Sequence, residues 1–163
     1  MNPEQLTYQL DQPTNQLLFN SSYEQRLSTW RNLRNTATKD DNFIATVLDV
    51  YQHCPLTNTD TDYFKNDTWP SAWQLLETNE YNLFDKCLAI MYTVNLTERF
   101  CDEKFSIIRA VTKLESYNNH KFYYIIKVGS LYIDCQNKES FDEQTFDKKY
   151  IQQYNKIIRK TDK

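Results

Sequence analysis

Glycine is nearly missing from this sequence of 163 residues, which contains only Gly129. Phosphate-binding loops and dinucleotide-binding turns need several closely spaced glycines, so both kinds of site are excluded. The longest apolar run, residues 87–91, is far shorter than the roughly 20 residues that span a bilayer. The first residues contain no basic region followed by an apolar run. We therefore expect no signal peptide and no membrane partner.

The sequence contains 19 Lys and Arg and 22 Asp and Glu, so its net charge is −3 and neither sign of charge dominates. This balance argues against nucleic acid as the main partner. No CxxC pair is present, and the adjacent His53 and Cys54 diverge on any regular element, so we expect neither a metal site nor a cofactor. We predict free thiols in a reducing cytosol for all cysteines: Cys54, Cys87, Cys101 and Cys135.

Four segments in the first hundred residues have apolar residues at helical spacing, and they predict helices over 22–36, 41–53, 70–78 and 81–96. The apolar residues of 81–96 cover more than half of the circumference, which predicts the most buried helix. Residues 1–21 are polar with scattered leucines. We interpret them as an extended N-terminal arm that precedes a single domain over 22–163.

The apolar period then changes to that of strands, which we predict over 106–115, 121–128 and 131–135. Gly129 and Ser130 form a tight hairpin turn in this interpretation. From Ser140 onward, a capping-box spacing and the positions of Phe146, Tyr150 and Tyr154 predict a final helix. The expected fold is α+β: about four N-terminal helices packed on a three-stranded antiparallel meander, followed by a C-terminal helix.

Three residues of this predicted fold are of the types that a cysteine enzyme uses. Cys87 lies on a predicted helix, and His120 and Asp134 lie on neighbouring strands. A cysteine nucleophile needs a base, and the base needs a carboxylate to orient it. Residues 120–134 resemble the His-to-Asp hairpin of the transglutaminase-like branch of the papain-like cysteine enzymes, and the resemblance covers about 70–135.

That resemblance implies Cys87 as nucleophile, His120 as base and Asp134 as orienting carboxylate. In the family the cysteine opens its helix, whereas Cys87 lies on the apolar stripe within it. A cysteine in such a position is more often a small core residue. We therefore predict a buried thiol, and a transglutaminase-like or peptidase-like enzyme is the alternative.

A second resemblance involves the segments TWPSAWQLLE at 68–77 and MYTVNLTERF at 91–100. They resemble small proteins of tailed bacteriophages, chiefly marine ones, over residues 28–135. The resemblance implies a non-enzymatic structural or assembly protein, oligomeric in a particle and bound to other phage structural proteins. It would be found in the host cytoplasm during assembly and then in the virion. A small regulator that binds a host protein is a further alternative.

Overall fold

The structure is a computed structural model that describes residues 13–114 and 121–158. Six α-helices and one five-stranded antiparallel sheet form within these residues, so the α+β class is confirmed. The helices are α1 (Thr14–Phe19), α2 (Tyr23–Asn35), α3 (Phe43–Tyr51), α4 (Ala72–Thr78), α5 (Leu83–Asn95) and α6 (Glu143–Lys149). The strands are β1 (Phe105–Thr112), β2 (Tyr123–Val128), β3 (Leu131–Asp134), β4 (Glu139–Phe141) and β5 (Tyr150–Ile158).

Side-chain caps fix where the longer helices begin. The hydroxyl of Ser22 accepts a hydrogen bond from the backbone N–H of Gln25 at 3.2 Å, as the capping-box spacing of this segment suggests. Asn82 and Asp85 form a reciprocal capping box at the start of α5, with bonds of 2.7 and 3.0 Å. These bonds satisfy backbone donors that the first turn of a helix leaves unpaired.

The strands lie side by side in the order β4-β3-β2-β1-β5. Val128 pairs with Leu131, so β2 and β3 form the predicted two-residue hairpin. Gly129 has a φ of 58° in this turn. A side chain there would adopt the left-handed region at a cost, and its Cβ would meet Glu103 at 2.8 Å. The chain's single glycine therefore stands where the turn requires one.

The two faces of the sheet are covered unequally. On one face, here called the helical face, Ile107, Ile126 and Ile133 pack in one core with the helices from α1 to α5. The most buried of these helices is α5, as predicted. On the other face, here called the second face, a smaller core forms around Phe146 of α6 and Tyr150 of β5. Successive residues of each strand point to opposite faces, so neighbouring side chains along a strand lie on different sides of the sheet.

The predicted three-stranded meander and long C-terminal helix are wrong. Ser140 lies in β4, α6 is capped by Asp142, and the chain from Tyr150 to Ile158 is strand β5, which pairs with β1. Tyr150 and Tyr154 have helical spacing, but the segment is rich in isoleucine and tyrosine, which favour strands. A helix here would also leave one edge of the buried β1 without hydrogen-bond partners. The pairing with β1 therefore outweighs the helical spacing, and the segment forms a strand.

The predicted number of N-terminal helices is also wrong, because α1 precedes the four that the sequence indicates. Its Phe19 is buried, and the ring lies edge-on to Tyr51 and Tyr81 at centroid distances of 5.6 and 6.0 Å. Residues 1–12 of the predicted arm lie outside the described residues. The division of the chain at residue 21 stays a prediction, although α1 packs on α2 and α3.

Candidate functional site

Cys87, the predicted nucleophile, lies on α5 and is completely buried in the core of the helical face. Cys135, which directly follows β3, is equally buried in the same core. Burial raises the pKa of the Cys135 thiol well above its usual value, and the neighbouring Cys87 acts in the same direction. The raised pKa holds the Cys135 thiol in its protonated, unreactive form.

Asp134, the predicted orienting residue, is completely buried and accepts several hydrogen bonds. Its carboxylate accepts from the backbone N–H of Gln136 at 3.0 Å and from that of Asn137 at 3.1 Å. The side-chain amide of Asn137 donates at 2.8 Å, and the hydroxyl of Tyr150 donates as well. Burial and this carboxylate together raise the pKa of Tyr150, so its hydroxyl stays a donor. Asp134 therefore joins the end of β3 to the start of β5.

The two residues face opposite sides of the sheet. Asp134 bonds Tyr150, which belongs to the core of the second face, whereas Cys87 belongs to the core of the helical face. The structure therefore does not bring Cys87 and Asp134 into one site. His120 lies outside the described residues, and its predicted role as base stays a prediction.

The four thiols differ in exposure in a way that a reagent can measure. Cys101 is exposed, whereas Cys54, Cys87 and Cys135 are buried. Burial raises the pKa of Cys54 to about 11. We expect iodoacetamide at about pH 8 to modify one thiol per folded chain quickly, and all of them after denaturation.

The matched control for this experiment is Cys101→Ser, which is expected to remove the fast reaction. Fast modification of Cys87 near about pH 6, slowed by His120→Ala, would instead support the cysteine-enzyme alternative, because it requires a thiolate stabilised by the imidazole.

An open cleft of about 890 Å³ lies between the loop 56–63, the start of α5 and residues 121–124. Its wall combines Thr, Asn and Asp side chains with the aromatic rings of Phe84 and Tyr124. Beside the cleft, the buried carboxylate of Asp85 accepts hydrogen bonds from Thr59 and from the backbone of Asn82, and so holds the loop against α5.

Within residues 13–114 and 121–158, no group of three or more His, Cys, Asp or Glu is arranged to hold a metal ion.

Asp62 of this loop has structural contacts. Asp62 accepts a hydrogen bond from the backbone N–H of Phe64 at 2.9 Å, and its carbonyl accepts one from the Trp69 indole at 2.8 Å. The indole ring also packs edge-on to Phe84 at 5.1 Å. The first tryptophan of the TWPSAW segment thus fixes the loop onto α5.

The outer strand β5 carries the densest group of exposed apolar side chains. Eight large apolar side chains are strongly exposed in the described chain, and four lie on or beside β5. We call these four the β5 surface: Phe64 (48% exposed), Ile151 (42%), Tyr154 (51%) and Ile157 (70%). Exposed apolar side chains concentrated along one strand in this way are typical of a contact with another protein.

Contacts behind the strand hold the β5 surface in place. The ring of Tyr154 meets Phe64 edge-on at 4.9 Å. The guanidinium of Arg109 lies over Phe64 at 4.9 Å, which is within the range of a cation–π contact. The hydroxyl of Tyr63 donates to the carbonyl of Ile107 at 2.8 Å and ties this loop to β1. The exposed rings are therefore presented from a rigid base, which lowers the entropy lost on binding.

The outer edge of β5 is open. The strand is last in the sheet order, and no described segment pairs with its outer side. Every second residue of an edge strand turns its N–H and C=O away from the sheet, so β5 offers backbone hydrogen bonds as well as apolar side chains. The sequence predicted a helix here and therefore missed this edge. The alternation that marks a half-buried strand is weak, because a β-bulge interrupts the pairing at Arg109 and Ala110.

Comparisons with known proteins add no assignment: no protein-family model matches the chain, and no curated protein is significantly similar to it. The resemblances to phage proteins and to transglutaminase-like enzymes stay predictions.

In the described residues, no helix is both long enough and apolar enough to cross a membrane.

Proposed function

We propose that this protein is a non-enzymatic structural or assembly component that works through protein–protein contacts. The observation that carries the proposal is the β5 surface, where exposed apolar side chains flank an unpaired edge strand. A partner that lies along this edge gains main-chain hydrogen bonds from the strand and apolar burial from side chains such as Tyr154 and Ile157. Strand addition of this kind combines affinity with a fixed orientation, which assemblies need.

The sequence resemblance over residues 28–135 is the reason for placing these contacts in a tailed-bacteriophage particle. In that setting the partners are other structural proteins, and the chain is made in the host cytoplasm before it enters the virion. If the assignment is correct, the protein is expected among the components of particles purified from the phage that encodes it. Its absence from such particles would contradict the phage assignment. The proposal that the β5 surface contacts another protein does not depend on that assignment and is tested separately.

The contact surface is tested with a photoreactive phenylalanine analogue at Tyr154, in the cell that naturally makes the protein. We expect light-dependent adducts in which mass spectrometry identifies a structural protein or a second copy of this chain. The matched control carries the same analogue at Leu56, which is 57% exposed and lies away from β5 at the cleft. Equal labelling at both positions, or none at Tyr154, would contradict the proposal. A single host regulator in the adduct would favour the regulatory alternative.

A further inference from the structure

We propose that the outer edge of β5 binds residues 6–10 of a second copy of this chain as a sixth, antiparallel strand. The inference rests on the proposed function, because it names the occupant of the same surface. Its supports are the geometry of the edge, the pattern of residues 1–12, the charges of the two segments and the length of chain between residue 10 and α1.

The edge is regular where the added strand would lie. The β-bulge opposite Arg109 and Ala110 falls at Gln152 and Gln153, and residues 154–158 then pair one-to-one with β1. Edge bulges hinder unwanted pairing, so the five residues beyond this bulge form the usable part of the edge. Tyr154 and Ile158 lie on the helical face of this part, and Asn155 and Ile157 lie on the second face.

A lysine that points outward from an edge strand hinders pairing with a further strand. Lys156, the one charged residue of β5, does not have this position. Its ammonium group donates to the side chain of Asn66 at 2.7 Å. The same group lies over the rings of Tyr63 and Trp69 at 5.1 and 5.2 Å. The charge is thus drawn onto the helical face, and the backbone edge stays accessible to a further strand.

Residues 6–10 read Leu-Thr-Tyr-Gln-Leu, in which apolar and polar side chains alternate strictly. This period of two is the pattern of a strand with one buried face. Pro3 lies outside the five residues, so each of them keeps the backbone N–H that strand pairing needs.

One antiparallel register suits both segments. It places the apolar side chains of residues 6–10 on the helical face beside the exposed ring of Phe64, and the polar ones on the second face. Tyr8 then lies next to the ammonium of Lys156, which favours a cation–π contact. The five opposed pairs are Leu6 with Ile158, Thr7 with Ile157, Tyr8 with Lys156, Gln9 with Asn155, and Leu10 with Tyr154.

The charges of the two segments are complementary. Residues 1–12 contain Glu4 and Asp11 and no Lys or Arg. Residues 148–160 contain five Lys and Arg and no Asp or Glu. Opposite charges steer the segments together, whereas two β5 strands brought edge to edge would bring like charges together.

The length of chain favours a second copy over the same chain. Residue 10 lies three residues before Pro13, a span of at most about 11 Å. Pro13 precedes α1, which packs on α2 and α3, and α3 borders β4 at the opposite edge of the sheet. Four strand spacings, about 19 Å, separate β4 from β5. Residue 10 therefore reaches the β5 of a neighbour more easily than its own.

The test uses two full-length chains in a Cys101→Ser background, which removes the exposed native thiol. One chain carries Leu10→Cys and the other Tyr154→Cys, and the two are mixed and oxidised with glutathione disulfide. We expect a disulfide-linked heterodimer, since the register places these residues opposite each other. The matched control, Gln9→Cys mixed with Tyr154→Cys, points its thiol to the other face and is expected to link poorly.

Sedimentation of the unmodified chain gives an independent measurement. We expect self-association that Tyr8→Lys weakens roughly tenfold or more, because a second ammonium group would lie directly opposite that of Lys156. Asn2→Lys adds the same charge outside residues 6–10 and is expected to have a much smaller effect.

A monomer at all concentrations would overturn the inference, and so would a disulfide that forms only between two Tyr154→Cys chains. If the photoreactive analogue at Tyr154 still captures another structural protein, the proposed function stands and only the second-copy inference fails. If it captures nothing, both fail.

Discussion

Replacing Leu88 by alanine is expected to lower the free energy of unfolding by about 2–5 kcal/mol, the usual cost of a cavity left by a buried leucine. Leu88 lies in the middle of α5 and is completely buried in the core of the helical face. Because α5 packs against both the other helices and the sheet, neighbouring side chains have little freedom to fill the space. Urea denaturation followed by circular dichroism measures the loss.

Leu83 provides a matched control on the same helix, since its side chain is 44% exposed. Leu83→Ala is expected to cost less than about 1 kcal/mol, because an exposed leucine leaves no cavity. Similar losses for the two substitutions would show that α5 does not bury the face described here.

Asp134→Ala is the second substitution with a large expected effect, a loss of about 2–5 kcal/mol, because it leaves the buried hydroxyl of Tyr150 and the part-buried N–H donors of Gln136 and Asn137 without an acceptor. The carboxylate accepts bonds from the turn after β3 and from Tyr150 at the start of β5. Removing it weakens the connection between these two parts of the sheet. Thermal and urea denaturation measure the loss, and hydrogen exchange locates it at β5.

Asp147 on α6 is the control for the removal of a carboxylate, since it is exposed. Asp147→Ala is expected to change stability by less than about 0.5 kcal/mol, as is usual for surface substitutions. If Asp134→Ala were equally mild, the hydrogen bonds of Asp134 would not contribute to stability as the structure indicates.

The parts of the fold that the sequence predicts well are those whose residues carry a strong local pattern. The apolar stripe of α5 and the β-branched and aromatic residues of β2 identify their elements within about two residues. Strand β4 has only three residues, too few to show any period. Strand β5 was mistaken for a helix because Tyr150, Tyr154 and Ile157 have helical spacing, while its pairing with β1 is a tertiary contact that no local pattern records.

The candidate site was harder to predict, because it depends on the order of strands in the sheet. Whether a strand lies at the edge is decided by its neighbours in space, and β5 is placed beside β1 rather than beside β4. The expectation of a buried Cys87 came from its apolar neighbours along α5, a local property, and is confirmed. The separation of Cys87 and Asp134 on opposite faces follows from the strand alternation around Asp134, which the element order alone does not give.

The pairing of β1 with β5 has a consequence for the nascent chain. Strand β1 is complete at Thr112, and β2 follows soon after to close one of its edges, but β5 begins only at Tyr150. At about 5–20 residues per second, a ribosome leaves the other edge of β1 without its partner for a few seconds. During this interval an apolar strand with unsatisfied backbone groups is open to pairing with a neighbouring nascent chain. Translation that stops between α6 and β5 would make this exposure permanent, so truncated products of this chain are expected to aggregate rather than fold.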